Sequence, residues 1–215
     1  MKILIINGSP NGRKGNSEII CRKFAEGMQN QPEIRYVVEE DAAALADYMD
    51  GFDSWLFFFP LYVNAMPGIV KRLFEHMRPN QEKGAGYFVQ SGFEEAAQSD
   101  YLRPILKNFN KRKGYQDLGL VVAGGMAGVR YMPEQMNKKL FTRLERAGAL
   151  FEQAGKFDEE SIRLFGQPYS YTKVQIRLNR LMRKLGLTNI FWNNMLKKNN
   201  AYQKRFDKPF GSQKE

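Results

Sequence analysis

Residues 2–17, Lys-Ile-Leu-Ile-Ile-Asn-Gly-Ser-Pro-Asn-Gly-Arg-Lys-Gly-Asn-Ser, decide the fold. The first five are a short β-rich apolar run ending at Asn7 and Gly8, the look of a parallel strand buried on both faces. Small and polar residues follow, and then Ile20, Phe24 and Met28 recur every four residues. Asn16 and Ser17 are good N-cap types, so a helix is expected to begin there. A strand that passes through a Gly-rich turn into a helix is the opening unit of an α/β sheet.

The alternation continues outward from that stretch. Residues 33–40 (EIRYVVEE) are a second strand candidate, and 52–59 (FDSWLFFF) a third that is too apolar to face water. Pro67 suits a first helical position, followed by Ile69, Val70, Leu73, Phe74 and Met77 on one stripe to about Arg78. Residues 86–91 (GYFVQS) predict a fourth strand, Leu102, Ile105, Leu106 and Phe109 a helix, and 118–123 (LGLVVA) a fifth strand. Met136, Leu140, Leu144, Ala147, Phe151 and Ala154 mark a long amphipathic helix. The fold class expected is α/β, a doubly wound five-stranded parallel sheet with helices on both faces. Past Gly155 the pattern turns helical, basic and Asn-rich, which divides the chain into a sheet domain, 1–155, and a helical C-terminal extension, 156–215.

With 43% hydrophobic residues in 215, the chain can bury a real core. Cys21 is its one cysteine, so no intrachain disulfide, thiolate zinc site or cysteine-held iron-sulfur cluster can form. That composition points to a reducing, cytoplasmic location. The apolar run at the start is too brief for a secretory signal, and no stretch approaches the ~20 apolar residues of a membrane span. The net charge of +10 is unevenly placed: residues 1–155 carry 20 Lys and Arg against 18 Asp and Glu, residues 156–215 carry 13 against 5.

In open α/β sheets ligands bind beyond the carboxyl ends of the strands, so the residues just after each apolar run carry the functional information. The loop of residues 8–17 is small enough to curl, letting its N–H groups converge on an anion that the next helix N-terminus also attracts. Ser9, Asn16 and Ser17 can add side-chain donors. A plain βα turn is the alternative. The Walker spacing is absent, because Lys14 is followed by Gly15-Asn16-Ser17, and so is Gly-x-Gly-x-x-Gly; a monophosphate fits better than a triphosphate. Residues 60–67, Pro-Leu-Tyr-Val-Asn-Ala-Met-Pro, form a stiff loop offering apolar groups, amides and a phenol to a flat heteroaromatic ring. The same loop would also serve as a rigid turn in which Tyr62 only packs. After the fourth strand, Gln90-Ser91-Gly92-Phe93-Glu94-Glu95 places a glycine where backbone could approach a ligand. Residues 124–128, Gly-Gly-Met-Ala-Gly, lie at the same sheet end, as a cavity wall or as a simple turn.

Together, GSPNGRKGNS, the run FDSWLFFFPLYVNAMPGIVKRLFEHM and VQSGFEE resemble the flavodoxin-like NAD(P)H-dependent FMN reductase family over about residues 1–155. The resemblance implies a flavodoxin-like fold with bound FMN. It assigns Ser9, Asn11, Lys14, Gly15, Asn16 and Ser17 to the phosphate, Pro60, Leu61, Tyr62, Val63 and Asn64 to the ring, and Ser91 and Gly92 to its polar edge. It further implies hydride transfer from NADH or NADPH to the flavin and onward transfer to a small-molecule acceptor: a quinone, nitro compound, flavin or metal ion. The hard chemistry would then be the cofactor's, and no catalytic side chain or metal ligand is nominated. The lack of a cysteine cluster excludes the iron-sulfur variant of the family. A flavodoxin-type electron carrier without nicotinamide turnover is the rival, disfavoured by the basic charge.

His76 sits on the polar side of its helix and reads as a surface residue, while Cys21 lies among apolar neighbours. In the extension, Val174, Leu178, Leu181, Met182 and Leu185 share a face, with Arg177, Arg180, Arg183 and Lys184 around it. Such a helix could lie on an anionic membrane, meet nucleic acid, or dock on protein with its charges solvated. Docking on the sheet domain or a twin subunit is preferred, because Ile190, Phe191, Trp192, Tyr202, Phe206 and Phe210 also need cover. A homodimer is accordingly expected, and a nucleic-acid partner is not.

Overall fold

The computed structural model describes residues 1–93, 99–166 and 172–207. Five strands, β1 (Ile3–Asn7), β2 (Glu33–Tyr36), β3 (Ser54–Pro60), β4 (Gly84–Gln90) and β5 (Gln116–Ala123), form one parallel sheet in the order β2-β1-β3-β4-β5. Helices α1 (Asn16–Glu26), α2 (Ala42–Met49), α3 (Gly68–His76), α4 (Leu102–Lys113), α5 (Glu134–Ala154) and α6 (Glu159–Phe165) connect and cover it. The expected fold class is the one observed.

Period-two alternation sorts the strand residues between two cores. Leu4, Ile6, Trp55, Phe57 and Phe59 face the layer of α2, α3 and α4. Ile5, Leu56, Phe58 and Phe88 face α1, α5 and α6. Both sets are buried, which is why β3 reads as an unbroken apolar run; each Phe contributes about 1.5–3 kcal/mol by leaving water. Phe57 stacks on Tyr87 at 5.6 Å and meets Phe74 edge-on at 5.1 Å, while Phe58 stacks on Phe88 at 5.1 Å. Buried Cys21 packs in the second core, where loss of solvation pushes its thiol pKa well up. Helices α1 and α5 approach so closely that a Cβ on Gly148 would lie 2.0 Å from the Phe24 carbonyl oxygen, and one on Gly27 1.8 Å from that of Glu145.

Several boundaries differ from the sequence reading. The second strand stops at Tyr36, and Val37–Glu39 make a 3₁₀ turn. Helix α2 was not expected; its N-cap is Asp41, whose carboxylate accepts from the N–H groups of Ala43 and Ala44, both at 3.0 Å. Asn16 and Ser17 stand in the first turn of α1, whose N-cap is Gly15, and Pro67 is the N-cap of α3. The composition change at Gly155 falls within the first compact unit, Met1–Tyr169, because Phe157 and Phe165 of the following segment are buried in the second core.

The second unit, Ser170–Glu215, contains α7 (Lys173–Lys184), a 3₁₀ turn at Leu187–Asn189 and α8 (Ile190–Lys198). A capping box starts α7: Gln175 N–H donates to Thr172 Oγ1 at 3.3 Å, and Thr172 N–H donates to Gln175 Oε1 at 2.8 Å. No residue of α7 is buried, Trp192 and Phe206 are 60% and 80% exposed, and the Phe191 side chain lies outside the described residues. Tyr202 is half-buried under Lys197 and Arg205, and Phe210 lies outside the described residues. No helix among the described residues is long and apolar enough to cross a membrane.

Candidate functional site

The strand order reverses at β1, which has β2 on one side and β3 on the other, so a crevice opens beyond the carboxyl ends of these strands. Gly8 continues the ladder, donating to Phe58 O at 2.8 Å, and only glycine fits there because a Cβ would come within 2.4 Å of Val70 Cγ2. The chain then tightens. Ser9 N–H donates to Asn7 Oδ1 at 3.0 Å, Asn11 N–H to Ser9 Oγ at 3.2 Å, and Gly12 N–H to Ser9 O at 2.9 Å. Lys14 and Gly15 N–H groups are also satisfied inside the loop. The expected convergence of successive loop N–H groups on an anion is therefore not the arrangement observed. The first turn of α1 carries the donors instead, since no side chain caps it. Gly15 brings that turn against Ser9, and a Cβ on it would stand 2.9 Å from Ser9 Oγ.

Beneath the loop lies a buried polar cluster. The Glu18 carboxylate accepts from Asn7 Nδ2 at 3.3 Å, from Tyr36 Oη at 3.0 Å and from Arg22 Nε at 2.5 Å. Because Asn7 Oδ1 holds Ser9 N–H, the Glu18 contact fixes which way the Asn7 amide faces and hence the start of the loop. Burial, then the hydrogen bond to Glu18, raises the Tyr36 pKa, so the phenol stays protonated as a donor. Arg13 lies over the Tyr36 ring at 3.9 Å and pairs with Glu39.

Four loops meet around one open cavity of about 220 Å³. Ser9, Asn11 and Asn16 come from the first, Pro60, Leu61 and Tyr62 from the second, Gln90, Ser91 and Gly92 from the third, and Met126 and Ala127 from the fourth. Leu61 N–H donates to Gln90 O at 2.7 Å, and Met126 N–H to Ser91 O at 2.9 Å, so the loops are stitched by their backbones. Asn16 ties the first loop to the fourth: its Nδ2 donates to Met126 O at 2.7 Å, and its Oδ1 accepts from Arg130 N–H at 3.2 Å. Ser17 is buried below the cavity, where its Oγ accepts from Gln90 Nε2 at 2.7 Å. The other amide atom of that residue, Gln90 Oε1, is buried with no hydrogen-bond partner.

Of the residues expected at the site, Ser9, Asn11, Asn16, Pro60, Leu61, Tyr62, Ser91 and Gly92 line this cavity. Gly15 and Ser17 support it from behind, and Lys14 is exposed on the 3₁₀ turn. Val63 and Asn64 do not line it: at φ of 49° and 58° they form a left-handed tip, and Val63 is 98% exposed. The turn is closed by paired bonds between Tyr62 and Ala65, both 2.9 Å. Gln90, Met126 and Ala127 are cavity residues that the family assignments lack; Gln90 is signalled as the one polar residue ending β4, and Met126 and Ala127 by the Gly-rich stretch around them. Glu94 and Glu95 lie outside the described residues.

A family profile described as flavodoxin-like fold matches residues 1–146. Among solved structures, the NAD(P)H:quinone oxidoreductase from Methanothermobacter marburgensis aligns with a TM-score of 0.58 and 16% identity, over 71% of this chain and 98% of its own. General stress protein 14 from Treponema denticola, solved in complex with FMN, gives 0.54 and 15% over 72% and 99%. An FMN-dependent NADH-azoreductase from Bacillus anthracis, also in complex with FMN, gives 0.51 and 15% over 71% and 100%. At such identities the likeness is one of fold. No curated protein sequence matches the chain. The profile match spans more than half of the residues, including all five strands and all four loops around the cavity, and the chain belongs to the flavodoxin-like fold family.

Proposed function

We propose that the cavity holds FMN and that the protein is an oxidoreductase that takes hydride from NADH or NADPH and passes electrons to a small-molecule acceptor such as a quinone, nitro compound, flavin or metal ion. The observation that carries this reading is the buried, unpartnered Gln90 Oε1 beside a cavity walled by Pro60, Leu61 and Met126. An unmet acceptor in an apolar slot suits the N–H edge of a flat heteroaromatic ring. The names of the three similar structures support the same chemistry, and two of them are of FMN complexes.

The donor set fits the cofactor. The uncapped N–H groups at Asn16 and Ser17 and the Ser9 hydroxyl, whose oxygen already accepts from Asn11, would hold a phosphate at the positive end of α1. Pro60, Leu61 and Tyr62 would flank the ring, and the Ser91–Gly92 backbone would meet its polar edge. The cavity is smaller than the ~300–1,000 Å³ usual for ligand pockets, so a ligand of this size would be only partly enclosed. That leaves one ring face open to a nicotinamide and then to an acceptor.

Bound FMN would supply the hydride-accepting and electron-donating chemistry. The chain's part is positional. The Glu18–Asn7–Ser9 relay holds the first loop, Asn16 locks that loop to the fourth, and Pro60, Leu61 and Met126 would shield the inner side of a bound ring. Purified protein should be yellow and release FMN on denaturation, and adding NADH or NADPH without oxygen should bleach it. A colourless protein that FMN cannot reconstitute removes the proposal; a yellow one that neither nucleotide bleaches is an electron carrier instead.

A further inference from the structure

Helix α7 is an exposed feature with a chemistry of its own. Its apolar residues Val174, Leu178, Leu181, Met182 and Leu185 recur at i, i+4, i+7, i+8 and i+11, which puts them on one side of a helix. Leu178 and Leu181 are 56% and 54% exposed. The helix also carries Lys173, Arg177, Arg180, Arg183 and Lys184 and no acidic residue. A twelve-residue helix is marginal in water without something to pack on, even with the Thr172 capping box. Beyond it, Ile190 and Trp192 of α8 are also largely exposed.

We infer that Ser170–Glu215 is a membrane-surface module, with α7 lying in the headgroup region of an anionic lipid bilayer. Two requirements must be met together, cover for an apolar stripe and counter-charge for five cations. A second copy would cover the stripe but set five cations against five. A nucleic acid would meet the cations and leave the leucines wet. An anionic bilayer satisfies both: the acyl boundary takes the stripe, and the Arg and Lys stems reach from its edge to the headgroups. Trp192 is the residue type that settles at such an interface. The charge is concentrated accordingly. Ser170–Glu215 carries 11 Lys and Arg against 2 Asp and Glu, whereas Met1–Tyr169 carries 22 against 21. The inference does not depend on what the cavity binds.

The full-length protein is to be sedimented with vesicles of phosphatidylcholine alone and of phosphatidylcholine containing about a third phosphatidylglycerol. The anionic vesicles should bind at least about tenfold more protein, and salt that shortens the Debye length to roughly 3–4 Å should release most of it. Fluorescence of exposed Trp192 should shift to the blue on binding, while Trp55, already buried, stays constant. The double variant Leu178→Glu, Leu181→Glu should lose vesicle binding with an unchanged thermal melt of the first unit, and Arg177→Gln with Arg180→Gln should weaken it several-fold. Equal binding to both vesicles, or none, overturns the inference. So does a preference for duplex DNA over anionic vesicles, or a dimer that the Leu178→Glu, Leu181→Glu variant converts to monomer.

Discussion

A buried amide whose nitrogen is used and whose oxygen is not, as in Gln90, sets up a test at the scale of one residue. In the free protein the orphaned oxygen is a liability, because an unmet buried acceptor costs about 1–3 kcal/mol. Replacement by the similarly shaped Met removes that liability and also removes the donor to Ser17 Oγ, so stability should change by no more than about 1 kcal/mol. If the oxygen meets a ring N–H, Gln90→Met should weaken FMN binding by about 3–10-fold, the worth of one hydrogen bond. Fluorescence titration of the apoprotein reads this directly, and unchanged affinity would mean that the oxygen does not face the cofactor. Much of the site was legible at this scale. Gly, Ser, Asn and Pro after strands β1, β3 and β4 pointed to the cavity because such residues have few uses other than turns and close approaches. Val63 and Asn64 fall outside the cavity lining, because adjacency to Pro60-Leu61-Tyr62 says nothing about where a left-handed tip turns. Glu18 gives no such signal, because its burial depends on Tyr36, 18 residues further along the chain.

Elements are held by two kinds of local chemistry here, and each yields an expectation. Helices α1 and α5 meet where Gly148 has no side chain, and an added Cβ would fall 2.0 Å from the Phe24 carbonyl. Alanine gains up to about 1 kcal/mol in helix propensity, but a backbone atom cannot swing aside as a side chain can. Gly148→Ala should therefore lose about 2 kcal/mol, lowering Tm by about 4–8 °C, whereas Gly68→Ala, which meets nothing within 4 Å, should not lower it. Helix starts carry the second kind. The Asp41 carboxylate is held by the N–H groups of Ala44 and Ala43, and that of Asp158 by Ser161 N–H, which keeps both pKa values below the usual carboxylate range. A depressed pKa adds stability that is fully present above the unfolded value of about 3.9 and is lost as pH falls through the folded one. Asn caps as well as Asp but does not titrate. The double variant Asp41→Asn, Asp158→Asn should match the wild type in Tm at pH 7 and lose less of it between about pH 5 and pH 3. Strands and long helices could be read from period alone, since both faces of β3 and one of α5 are apolar. Helix α2 could not: eight residues with four alanines give too weak a stripe, and only Asp41 before Ala42 marks its start.

At the scale of the molecule, the chain joins a nearly neutral unit to a strongly basic one. Among the described residues, both buried clusters are drawn from the stretch between Leu4 and Phe165, which lies inside Met1–Tyr169. The last contribution comes from α6, which the sequence alone assigned to the extension, because the change of composition at Gly155 precedes the end of the core by a short helix. Its N-cap Asp158 and its buried Phe165 belong to the sheet's side of the ledger of contacts. Ending the chain at Tyr169 should thus leave a folded protein, whereas ending it at Gly155 removes Phe157 and Phe165 and opens the second core. Truncating two buried Phe side chains costs about 3–5 kcal/mol each, a large share of the ~5–15 kcal/mol by which a domain is stable. Thermal melts should place 1–169 within a few degrees of the full chain and 1–155 well below it or unfolded. The same 1–169 protein, with 22 basic against 21 acidic residues, should pass through a cation exchanger at pH 7 that retains the full chain. Retention of both would show that the first unit presents a basic surface of its own, and a 1–169 chain that melts as low as 1–155 would show that α7 and α8 contribute to the core after all.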